Sequence, residues 1–259
     1  MIDIESRSED SRTRQLGGIL IALVIAIVAV ALVIAARATA SPGSGGTPAG
    51  AREVVGCSPD VGTVSSGPPT RRTVALSFDD GPSSRYTPEI LTILNRLGAN
   101  ATFFEEGRHV SSREALMRRI LADGDEIGNH SFDHPHYPDY SELASTNRLI
   151  RAATGFTPCL FRPPYGLVDA TVESAARRDH LETVLWSIDS NDHKHPSPGV
   201  IRSRVLGRAQ AGSIVLMHDG GHHPQTVAAL PGIIRGLLAR GFHFATVTQL
   251  LGGHFTYRG

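Results

Sequence analysis

Cysteine is nearly missing from this chain. Only Cys57 and Cys159 occur among 259 residues, too few for a disulfide-dense scaffold. Net charge is also missing: Lys+Arg and Asp+Glu are both 25, so the formal charge is zero. No global field therefore points toward nucleic acid or an acidic surface, and no basic tail is present. Aromatic residues make up 6% of the chain, with a single tryptophan, Trp186. From residue 71 onward there is neither an internal repeat nor a low-complexity tract.

A long apolar run is present, at the N-terminal end. Leu16 to Ala36 carries no charge and is almost wholly apolar. At ~1.5 Å per residue it would extend about 31 Å, enough to cross a bilayer. Arg7, Arg12 and Arg14 precede it and Arg37 follows, a bias that places the N-terminus inside and the rest of the chain outside. A buried core helix is the alternative, but the run is terminal and apolar all round. A cleaved signal sequence is the sharper alternative, because Ala38-Thr39-Ala40 resembles a cleavage site. Either way the remainder is extracytoplasmic, membrane-anchored or secreted after cleavage near Ala40. In that setting Cys57 and Cys159 suggest one bridge closing a long loop, worth about 4–5 kcal/mol in the chain-entropy model. Two unrelated thiols are the other reading, with Cys159 buried as a small hydrophobe.

Four segments follow from composition: a cytoplasmic 1–15, the span 16–36, a Gly/Pro/Ser-rich linker 37–70, and a folded domain 71–259. Within the domain, short apolar runs alternate with amphipathic stretches. Strands are expected at Thr73–Phe78, Ala101–Phe104, Glu126–Gly128, Leu160–Arg162, Thr183–Ile188, Ser213–Met217 and Phe244–Val247. Helices are expected between them. Pro88 fits a first helical position, Ser111-x-x-Glu114 resembles a capping box, and Gly124 suits a helix end. Such alternation implies a mainly parallel sheet covered by helices, an α/β fold. Seven or so units predict a distorted (β/α)7-type barrel related to the TIM barrel, with active-site residues at the C-terminal strand ends.

The chemistry-bearing residues fall at those ends. Ser77-Phe78-Asp79-Asp80-Gly81-Pro82 closes the first strand with two carboxylates. On an extended chain they point opposite ways, so one can hold a metal while its neighbour faces a substrate. The same hexapeptide suits a plain turn. His130 and His134 are four apart, a spacing found in H-E-x-x-H metal sites, but no Glu follows His130. A base would come from elsewhere, with Asp79 the obvious donor; two exposed loop histidines are the alternative. Arg162-Pro163-Pro164-Tyr165 is a stiff turn that can hold the Arg and the Tyr165 N–H in place. Trp186 opens a segment that runs through Asp189 to Asp192, and Leu216-Met217-His218 ends a buried strand. His136, His195, His222, His223 and His254 are read as loop or surface residues.

In this order the five pieces resemble the polysaccharide deacetylases, carbohydrate esterase family 4, with its NodB-like domain. S-F-D-D-G, H-S-x-x-H, R-P-P-Y, D-x-x-D and L-M-H all align, and Ala101–Phe104 and Glu126–His130 also look like family signatures. The resemblance covers about residues 71–251. It implies that Asp79 is the general base and that Asp80, His130 and His134 ligate a divalent metal. Zinc is the expected ion, with cobalt or nickel as alternatives. By the same resemblance Arg162 holds the base, Asp192 orients the catalytic His, and His218 is the general acid. The Tyr165 N–H matches an oxyanion donor, Leu216 walls the acetyl pocket, and Trp186 and Tyr165 face substrate. The implied reaction is N-deacetylation of a cell-wall N-acetyl sugar polymer, peptidoglycan or chitin-like, with acetate released. An O-acetyl esterase on xylan-like glycans and an inactive wall-binding domain are the alternatives. The family's fourth motif usually ends in Trp where this chain has His193, which puts the substrate groove in question.

Overall fold

A computed structural model describes residues 62–69 and 71–253. The apolar run 16–36 and Cys57 lie outside the described residues, and with them the expected span, linker start and Cys57–Cys159 bridge. Among the described residues no helix is long and apolar enough to cross a membrane.

Among the described residues nine strands form one sheet: β1 (Thr63–Val64), β2 (Thr73–Gly81), β3 (Ala101–Glu105), β4 (Glu126–Asn129), β5 (Leu160–Phe161), β6 (Glu182–Val184), β7 (Ile188–Asp189), β8 (Ile214–His218) and β9 (His243–Phe244). Their order is β1-β6-β5-β4-β3-β2-β8-β7, every strand pair is parallel, and β9 joins the start of β2. Among the described residues eight helices accompany them: α1 (Tyr86–Leu97), α2 (Gly107–Val110), α3 (Glu114–Ala122), α4 (Tyr140–Thr154), α5 (Ala170–Arg178), α6 (Pro198–Arg208), α7 (Pro224–Ala239) and α8 (Val247–Leu250).

The parallel α/β architecture matches expectation, and the expected distorted barrel takes the form of a curled half-barrel. Among the described residues β1 and β7 are sheet edges, so the sheet is a curled half-barrel. The stretch expected as one strand at Thr183–Ile188 is split, because Trp186 turns out of the ladder between β6 and β7. Thr63 and Val64, expected in the linker, form β1 alongside Thr183 and Val184. The Ser111 capping box is also absent: α3 starts after Arg113, with no side-chain cap. Gly124 does end that turn, at φ 89°.

Period-two alternation then decides what faces the site. On β2, Val74, Leu76 and Phe78 pack outward against the helices, beside Val215 and Met217 of β8. Ala75, Ser77 and Asp79 therefore face inward, as do Ile214, Leu216 and His218. Register completes the placement, since Asp79 lies level with His218 on one side and Phe104 on the other. The lower interior of the curl is filled by Ala75, Phe104, Leu160, Val184 and Ile214, with Val247 and Leu250 of α8. Burying these side chains at ~25 cal/mol per Å² fixes a rigid floor beneath the strand ends.

Candidate active site

Asp79 is the inward-facing end of β2 and is 3% exposed. Arg162 lies beneath it, fully buried, and its Nη1 donates to Asp79 Oδ1 at 2.7 Å. The same guanidinium donates to Ser77 Oγ and to the Val184 and Leu185 carbonyls. It also sits 4.1 Å from the centre of the Phe104 ring. Arg162 is thus held at every polar atom, and Asp79 Oδ2 is left facing the pocket.

Adjacent side chains on β2 do not diverge as expected. Asp80 adopts φ 71° at a register shift between Asp79 and Gly81, so both carboxylates converge on one point. His134 also takes positive φ, at 59°, and Ser131 Oγ accepts from its backbone N–H. The His130 Nδ1–H donates to the Arg162 carbonyl at 2.7 Å, which turns Nε2 inward as the lone-pair nitrogen. From there His130 Nε2 is 3.2 Å from Asp80 Oδ1, and His134 Nε2 is 3.4 Å from the same oxygen.

These three residues fit a divalent metal. Asp80 Oδ1 is buried with no hydrogen-bond partner among the described residues, and two imidazole nitrogens face it. Ligand atoms about 2.0–2.2 Å from a tetrahedral zinc lie about 3.4 Å from one another, close to the spacings seen. Burial disfavours a His130 cation, but Asp79 and Asp80 outweigh it and raise its pKa. Burial opposes the Asp80 charge, but contact with His130 and the charges of His218 and His134 hold its carboxyl well below the usual range. Burial and neighbouring His130 push His134 down to about 4, so it offers a neutral ring at neutral pH.

Across the pocket, His218 Nδ1 donates to Asp192 Oδ1 at 2.7 Å. Asp192 Oδ2 accepts from the His218 backbone N–H at 2.8 Å and from the Thr226 hydroxyl at 2.7 Å. Burial disfavours the His218 cation, yet Asp192, Asp79 and Asp80 outweigh it and raise its pKa to about 9. The pocket between the two clusters holds about 360 Å³ and is lined by Tyr165, Trp186, Asp189, His193 and Leu216 besides the residues above. Tyr165 is at φ 59°, exposed at the rim, with its ring edge-on to His134 and stacked on His136.

Every expected site residue therefore meets at one pocket or directly supports it. Some contributors were not foreseen. Ser77 props Arg162, and its place two residues before Asp79 was the available signal. His223 lies in the loop before α7 as expected, but it is buried there and stacked on His218. Nothing local in the sequence marks Gln225 or Thr226, which reach Asp192 only through the fold.

The family model described as polysaccharide deacetylase matches residues 66–184, so it takes in Asp79, the metal-type triad and Arg162. A peptidoglycan-N-acetylglucosamine deacetylase of Bacillus cereus is 38% identical over 192 residues, 71% of this chain and 90% of the relative. Another such deacetylase, of Listeria monocytogenes, is 38% identical over 189 residues. There the match spans only 40% of the relative's length. The crystal structure of a peptidoglycan N-acetylglucosamine deacetylase bound to a naphthalenyl N-oxidanyl-benzamide superposes with a TM-score of 0.72 at 32% identity, over 75% of this chain and 94% of that one. With such a relative matched almost end to end, this chain belongs to the polysaccharide deacetylase family.

Proposed function

We propose that the domain is a metal-dependent deacetylase that hydrolyses N-acetyl groups on a peptidoglycan-type sugar polymer and releases acetate. One observation carries the reading: a carboxylate–His–His cage and an Asp192-backed His218 face each other across one pocket, with Asp79 between them. The relatives' activity on peptidoglycan N-acetylglucosamine supports the substrate class.

Asp80, His130 and His134 would hold the ion, zinc by the nature of the donor set. When bound, such an ion polarises a carbonyl and acidifies a water. The remaining work falls to the chain. Asp79 Oδ2 takes the proton of the attacking water while Arg162 fixes Oδ1 and keeps the carboxylate oriented. The deprotonated water oxygen bonds to the amide carbonyl carbon, giving a tetrahedral centre whose oxygen accepts from the Tyr165 backbone N–H. His218 Nε2–H protonates the departing sugar nitrogen, and Asp192 stabilises and orients the imidazolium. Leu216 and Trp186 wall the space for the acetyl methyl. The run 16–36 would hold this domain outside the cytoplasm, near its polymer.

The test is acetate release from N-acetylglucosamine oligomers, peptidoglycan fragments and acetylated xylan, with chelator and then with added zinc or cobalt. Release from the N-acetyl substrates that stops on chelation and returns with metal is expected. Release from xylan alone would move the assignment to an O-acetyl esterase.

A further inference from the structure

The first turn of α7 is built around the Asp192–His218 pair. Three consecutive contacts come from it. The Thr226 hydroxyl, fully buried, donates to Asp192 Oδ2 at 2.7 Å. The Gln225 side-chain amide donates to the Asp192 carbonyl at 3.0 Å. The His223 ring stacks on His218, with centroids 5.3 Å apart and planes at 29°. His195 covers the other face of His223 at 5.3 Å and 12°, and its Nδ1 lies 2.9 Å from the Gln225 amide nitrogen. None of these side chains serves the helix itself, since His223 makes no capping hydrogen bond and Pro224 occupies the first turn.

From this placement we infer that His223, Gln225 and Thr226 are positioning residues for the general acid, the inference resting on the deacetylase reading above. Asp192 has two oxygens and they face three donors: the His218 ring, the His218 N–H and the Thr226 hydroxyl. The hydroxyl holds the carboxylate plane so that Oδ1 stays on the ring nitrogen. Gln225 pins the backbone of the tight turn at Asp192–Lys194, where Asn191 and His195 both take left-handed φ. His223 blocks rotation of the His218 ring away from the pocket. Its flat π-face also lies against the ring that carries positive charge in the reaction. Burial and the neighbouring His218 lower the His223 pKa against the pull of Asp192. Asp192, Asp79 and Asp80 are the charged groups facing His218, and His193 lies edge-on to it.

The experiment compares Thr226→Val, Thr226→Ser and His223→Leu in the full chain loaded with metal. Thr226→Val and His223→Leu are expected to lower kcat about 10–100-fold, the usual cost of removing a supporting shell, with KM unchanged. Thr226→Ser restores the hydroxyl and is expected to restore kcat. Thermal unfolding identifies any variant that fails to fold. A wild-type kcat in Thr226→Val, or a Thr226→Ser as slow as the valine variant, overturns the inference. The low-field proton signal of the His218 Nδ1–H is followed in the same proteins. It is expected to be sharp in the wild type and broadened in Thr226→Val and His223→Leu. Should the wild type release no acetate, the deacetylase reading fails alone. The proton signal then still decides the inference, and an unaltered signal in both variants overturns it.

Discussion

In the proposed reaction Asp79 and His218 carry the proton transfers as single residues. Asp79→Asn keeps the shape but removes the proton acceptor, so acetate release is expected to fall about 10²–10⁴-fold, while the loss of the Arg162 counter-charge lowers thermal stability. His218→Ala is expected to lose a similar factor. Near-normal turnover in either variant contradicts the roles. The His218 charge also sets a pH dependence. Its folded pKa is raised from 6.5 to about 9, so the stability it contributes is complete below pH 6.5 and is lost as pH rises through 9. In metal-free protein, unfolding midpoints should decline across that window in the wild type and stay flatter in His218→Ala. Activity should decline on the alkaline side for the same reason, because the neutral ring cannot protonate the leaving amine. At this scale the sequence was highly informative. Asp79, Asp80, His130, His134, Arg162, Asp192 and His218 are all identifiable by type and spacing. Thr226 and Gln225 were not, because their partner lies more than 30 residues away along the chain.

Strand ends bring a second set of carboxylates together beneath the site. Glu105 at the end of β3 and Asp219 after β8 both close over Gly81 at the end of β2, where a Cβ would collide with them. Both are fully buried. The Thr87 hydroxyl of α1 donates to Asp219, while neither Glu105 oxygen has a hydrogen-bond partner among the described residues. Burial and mutual repulsion raise the Glu105 pKa, and burial lifts Asp219 from 3.8 to about 7. Folded-state pKa values raised in acids mean stability that declines as pH rises, here between about 4 and 7 for Asp219. Glu105→Gln removes one of the two charges and is expected to raise stability at pH 8 by about 1–3 kcal/mol, with a smaller effect at pH 4. A loss of stability at pH 8 would show that the carboxylate has a partner the described residues do not include. Elements were legible where periodicity was strong. The strands β2, β3 and β8 lie within a few residues of their expected positions. The break at Trp186 and the shift at Asp80 were not legible, because both depend on neighbouring strands rather than local propensity.

For the whole molecule, the curled parallel sheet explains why residues spread from Asp79 to His218 share one pocket. Parallel strands put all their C-terminal ends on one rim, and the inward alternation on β2 and β8 aims Asp79 and His218 at the same space. The proposed extracytoplasmic placement has its own test. A chain lacking residues 1–40 is expected to move from the membrane to the soluble fraction with kcat unchanged, while a mature protein beginning at Ser41 would show cleavage instead of anchoring. Beginning the truncation at residue 71 would also remove β1, which pairs with β6 at the sheet edge, and should lower stability.

The sequence by itself determined the α/β class and the family, and it singled out the residues that the structure gathers at one pocket. Those follow from side-chain chemistry and from periodicities that are local along the chain. Only the tertiary structure decided that the sheet stays open, that Asp79 and Asp80 converge, and that the first turn of α7 grips Asp192 and His218. Each of these depends on contacts between residues far apart in sequence, where packing, backbone strain and shared hydrogen bonds override what any single segment prefers.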